Sequence, residues 1–161
     1  MKQISVENIE KALKKVDSLQ EEELDQLIEG LTLQQQPLVD YLLQAGVEFE
    51  NEELNVYSIY YFAVVVQAIQ LQGFQLKPIK EEDIDAFHDP FLLALDAIHS
   101  NEDYEPLQDL IQQPNLEQFI LDEIESPDSD GVILEEEIQT QLFIVTISMI
   151  GLLNEAIDTS A

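Results

Sequence analysis

Asn51-Glu52-Glu53-Leu54-Asn55-Val56-Tyr57-Ser58-Ile59-Tyr60-Tyr61-Phe62-Ala63-Val64-Val65-Val66-Gln67-Ala68-Ile69-Gln70-Leu71-Gln72 decides the fold. Tyr57, Tyr61, Val64, Val65, Ala68 and Leu71 recur at helical spacing, and Val56, Tyr60 and Ala63 fill the flank. The β-branched run Val64-Val65-Val66 by itself suits a strand. The length of the stretch and the polar pair Gln67/Gln70 decide for a helix over 52–72. A helix apolar around most of its girth belongs in the middle of a bundle.

A second stretch has the same character. No charged residue falls between Glu137 and Glu155, so a helix over about 134–157 is the second expected central element. Outward from these two, helix signals recur and strand alternation is scarce. Ser5 caps a first helix with Val6, Ile9, Leu13 and Val16 on one face and Lys11, Lys14 and Lys15 towards its end. Ser18-Leu19-Gln20-Glu21 matches a capping box for a second helix carrying Leu24, Leu27, Ile28 and Leu31. Pro37 sits early in a third, which Gly46 is expected to stop. Asp89-Pro90 reads as a cap followed by Pro at the first helical position, with helices also announced by Pro106 and Pro114. The expected fold is all-α: a single domain over 1–157, an irregular or orthogonal bundle of seven to eight helices around 52–72 and 134–157, with a frayed tail over 158–161.

Charge then narrows the function. The 161 residues carry 34 Asp or Glu against 6 Lys and no Arg, a net charge of -28. All six lysines precede residue 81, and beyond them lie 21 carboxylates with only His88 and His99 as basic groups. Phosphate-bearing ligands are gripped mainly by Arg, Lys and metal ions, so nucleic acid is not an expected partner. At 45% hydrophobic residues the chain is too apolar for a disordered acidic tail and carries a normal core. The absence of cysteine excludes disulfides and thiolate chemistry and fits a reducing compartment. Residues 1–7 reach a carboxylate before any apolar run forms, and the run Leu142–Leu153 is short of the ~20 residues that cross a bilayer. The expectation is a cytoplasmic protein with no membrane partner.

Ser126-Pro127-Asp128-Ser129-Asp130-Gly131-Val132-Ile133-Leu134-Glu135-Glu136-Glu137 resembles the calcium loop of an EF-hand. Asp128 and Asp130 fall at its third and fifth positions, Gly131 at the turn, Ile133 at the apolar eighth and Glu137 at the closing twelfth. Ser126 stands where the pattern has Asp, and no second loop of this kind is present. The resemblance implies calcium held by Asp128, Asp130 and Glu137. Ordinary turn and cap chemistry accounts for the same residues.

Other constellations are weaker. Asp85-x-x-His88 and Asp96-x-x-His99 each place a carboxylate and an imidazole on one helix face, and their offset of eleven residues aligns them only if the helix continues through Pro90. His88-Asp89 resembles the centre of an HD phosphohydrolase motif, but no histidine precedes it. Glu135, Glu136 and Glu137 suit the first turn of a helix. Tyr57, Tyr60 and Tyr61 fit core packing at helical spacing. Cys and a Gly-x-Ser-x-Gly elbow are absent, so no catalytic residue is assigned and no enzyme is expected. What remains is the acidic half itself, whose field attracts a basic protein. The leading expectation is an acidic helical inhibitor, immunity-type or adaptor protein that engages a basic protein partner through its C-terminal half. The alternative is a cation-binding helical protein using 126–137.

Overall fold

The structure is a computed structural model that describes residues 3–127 and 130–158. Among these it is an all-α bundle of eight helices with one two-residue ribbon. In chain order the helices are α1 (Val6–Ser18), α2 (Glu21–Gln34), α3 (Gln36–Glu48), α4 (Glu53–Leu71), α5 (Glu81–Asn101), α6 (Glu105–Ile111), α7 (Pro114–Glu125) and α8 (Glu136–Ala156).

The two central helices are the expected ones. Every residue of α4 from Tyr61 to Ile69 is buried, and so is every residue of α8 from Val145 to Asn154. They pack on each other; α1, α2 and α3 cover α4, and α3, α5, α6 and α7 cover α8. By length and composition both could cross a membrane, but most of each apolar stretch is buried inside the bundle. Gly151 lets α8 approach α5 and α6 closely. A methyl group there would sit 2.6 Å from the Phe87 ring and 2.7 Å from Ile111 Cδ1.

Local signals were read correctly at Ser5, whose hydroxyl accepts from the Asn8 amide at 3.2 Å. They moved elsewhere. The box that starts α2 is Gln20 with Glu23, and Ser18 instead ends α1 by donating to Lys15 O at 2.8 Å. Helix α3 runs past Gly46, which is buried because the Asn55 side chain of α4 lies against it.

The clearest correction concerns Pro90. Rather than opening a helix after an Asp89 cap, it lies inside the continuous helix α5. Proline at an interior position removes one backbone hydrogen bond and crowds the preceding turn, costing about 3 kcal/mol. Here Pro90 and Ala86 are exposed, so water reaches the freed Ala86 carbonyl, while Phe87, Phe91 and Ala94 are buried in the core. Burying two phenylalanines contributes about as much as the proline costs.

Residues Gln75–Leu76 (β1) and Ile157–Asp158 (β2) pair antiparallel, Gln75 opposite Asp158 and Leu76 opposite Ile157. Asp158, the first residue of the expected tail, is thus paired, and 159–161 lie outside the described residues. Gly73 at φ 90° turns the chain from α4 into this ribbon.

Buried amides hold the irregular segments down. Gln35 donates to Lys77 O at 3.0 Å and accepts from the Ile79 amide at 2.8 Å. Gln113 accepts from the Ile4 amide at 3.0 Å and donates to Asn154 Oδ1 at 2.8 Å, while Asn115 donates to Ile4 O at 2.9 Å. Backbone without a helix or sheet partner is thereby satisfied inside the protein.

Candidate functional site

Helix α5 and the segments after it carry the acidic surface. Glu81, Glu82, Asp83, Asp85, Asp89 and Asp96 of α5 are exposed, as are Glu102, Asp103, Glu105 and Asp109 beyond it. Between described residues one ion pair forms, Lys11 with Glu7 at 3.1 Å, and it is on α1. Lys15 donates to Gln67 Oε1 at 2.6 Å instead of to a carboxylate.

Of the expected cation ligands, Asp130 and Glu137 are exposed, Glu137 in the first turn of α8, and Asp128 lies outside the described residues. Gly131 takes φ 78°, the left-handed backbone that a sharp turn needs. The Ser126 hydroxyl donates back to Asp122 O in the last turn of α7. Among the described residues no group of three or more His, Asp or Glu gathers to hold a metal ion.

His88 and His99 both lie exposed on α5. Because the helix is continuous, eleven residues separate them by about 16 Å along its axis. One ion cannot bridge that distance, so the two Asp-x-x-His units do not form a joint site.

Tyr57, Tyr60 and Tyr61 pack as an aromatic cluster with Phe119, Tyr61 meeting the Phe119 ring edge-on at 6.4 Å. The Tyr60 hydroxyl donates to Asp17. Burial first, then the Asp17 hydrogen bond, raises the Tyr60 pKa; burial, then Glu123, raises that of Tyr61. Glu123 is itself raised by burial and then by Asp17 and Asp122, and Glu117 by burial. Burial is the leading cause for both glutamates, and of the two only Glu123 is also crowded by other carboxylates.

One feature was not read from the sequence. Helices α3 and α5 leave between them an apolar groove of about 210 Å³. Tyr41, Gln44, Ala45 and Glu48 line it from α3, His88, Phe91, Leu92 and Leu95 from α5, and Ile144 and Val145 from α8. Each wall has the spacing i, i+3, i+4, i+7, which was visible in the chain. A helix break at Pro90 would divide the α5 stripe; the continuous helix aligns it.

The chain is an acidic all-α bundle. In comparisons with known proteins no family model, curated protein or solved structure matches this chain.

Proposed function

We propose that this protein acts by binding, as an acidic inhibitor, immunity-type or adaptor protein whose C-terminal half engages a basic protein partner. The observation that carries this reading is the exposed carboxylate series from Glu81 to Asp109 on a half of the chain with no lysine or arginine. Such a field raises the encounter rate with a cationic surface and selects against anionic ones. Affinity capture from a native lysate tests it. A basic protein retained at low salt and released as the Debye length falls below about 8 Å supports the reading. Failure to enrich any basic protein at low salt contradicts it.

A second reading is favoured by the positive φ of Gly131, the sixth position of the EF-hand-like loop. On this reading 126–137 holds calcium through Asp128, Asp130 and Glu137. Calorimetric titration decides it. Glu137→Gln abolishes most of the affinity and Ser126→Asp strengthens it if the site is specific. Equal, salt-sensitive binding in all forms means diffuse cation attraction.

A further inference from the structure

The groove between α3 and α5 has the form of a missing helix position. Two helices present matching i, i+3, i+4, i+7 stripes, and Ile144 and Val145 of α8 form the floor. Its apolar wall is open: Leu92 is 48% and Phe49, beside the α3 end, 38% exposed. A volume of about 210 Å³ is the space of roughly seven waters, enough to seat anchoring side chains from an incoming helix.

The rim decides what that helix carries. Glu48 flanks the groove on α3. On α5, Asp85, Asp89 and Asp96 are exposed and lie within about 60° of Leu92 around the helix axis, at 3.6 residues per turn. A second copy of this chain would bring a net charge of -28 to another of -28, and an anionic lipid surface is repelled in the same way. An apolar stripe bordered by lysines or arginines meets both requirements at once, burying its stripe and pairing its rim.

We propose that this groove is the docking site for a basic amphipathic helix of the partner protein. The inference rests on the basic-partner reading and adds to it a location and a shape. Leu92 and Phe49 anchor the apolar face of the bound helix, and Glu48, Asp85, Asp89 and Asp96 select its basic flanks.

The test uses the full chain and two synthetic peptides of about 18 residues, five helical turns, containing only leucine and lysine. One places leucine at i, i+3, i+4 and i+7; the other has the same composition scrambled. Fluorescence anisotropy at low salt gives both affinities, and amide shifts in the isotope-labelled protein map the site. The patterned peptide is expected to bind about tenfold or more tightly than the scrambled one, with shifts concentrated at 41–49, 88–95 and 144–145. Leu92→Ser removes that preference, whereas Leu93→Ser, also exposed on α5 but outside the groove lining, keeps it. Equal binding of both peptides, with shifts spread over the acidic surface, overturns the groove and leaves the basic-partner reading standing. Binding of neither peptide overturns both.

Discussion

Tyr41 on α3 donates its hydroxyl to Ser148 Oγ on α8 at 3.1 Å, tying a wall of the groove to the centre of the bundle. Ser148 is fully buried and spends its own proton on Val145 O at 2.7 Å. Its oxygen therefore accepts while its hydrogen serves the helix backbone. Tyr41→Phe removes the donor and leaves the Ser148 bond to Val145 in place. The expected loss is about 1 kcal/mol, the net value of one hydrogen bond, read from urea denaturation. Unchanged stability would mean that the contact contributes nothing to holding α3 on α8.

Pro90 provides a sharper test of the fold. In a continuous α5, Pro90→Ala restores an N–H that can reach Ala86 O and relieves the crowding of the preceding turn. Part of the gain is offset because alanine frees the unfolded chain. The net expectation is a stabilisation of about 1–2 kcal/mol, measured as a higher denaturation midpoint. At the first position of a new helix the same change would be neutral or destabilising, since proline is favoured there.

Gln113 joins three elements through its side-chain amide. Gln113→Leu keeps the approximate volume, but strands the buried Ile4 amide. The expected cost is about 2 kcal/mol, because leaving a buried polar group unpaired is more expensive than forming its bond is favourable. Hydrogen exchange at the Ile4 amide should accelerate in the variant. Protection equal to the wild type would contradict the role assigned to Gln113.

Acid and alkali act with definite signs. Glu117 and Glu123 have folded pKa values raised chiefly by burial, and Glu123 also by Asp17 and Asp122. A carboxyl raised on folding contributes stability that is complete below its unfolded value of about 4.3 and is lost as pH rises through the folded value. Stability should therefore increase as pH falls from 7 towards about 5, and Glu123→Gln should flatten that slope. At pH 7 this variant should be slightly more stable than the wild type, an effect that solvent screening keeps small. Tyr60 and Tyr61 are raised as well, so their contribution is complete below about 10 and falls as pH climbs beyond it. Added NaCl of about 0.2–0.5 M should raise the melting temperature by screening the carboxylates. A melting temperature that falls with salt contradicts the repulsion argument.

The chain discloses some of this and conceals the rest for physical reasons. Helices α4 and α8 are legible because long uncharged stretches at helical spacing must be shielded from water, and each is mostly buried in the bundle. Pro90 misleads because its local rule is strong, and only the burial of Phe87 and Phe91 on the same helix outweighs it. Gln35 and Gln113 were passed over because glutamine is ordinarily a surface residue. Their burial follows from where 77–79 and Ile4 cross the bundle, a tertiary fact. The groove required knowing that α3 and α5 face each other over Ile144 and Val145, which no spacing within one helix reveals. The acidic surface, by contrast, was fully written in the composition.

The central claim is that the C-terminal carboxylates, rather than net charge alone, hold a basic partner. Two variants with equal charge separate these. One neutralises Asp85, Asp89, Asp96, Glu102, Asp103 and Asp109 to the amides; the other neutralises Glu7, Glu10, Glu21, Glu22, Glu29 and Asp40, exposed in the N-terminal half. Each retains a net charge of -28 + 6 = -22. The measurement is capture of basic protein from native lysate by the wild type and both variants side by side at low salt. Retention by the wild type and the N-terminal variant, with loss in the C-terminal variant, is the expected result. Equal retention by both variants, or loss only in the N-terminal one, would contradict the account.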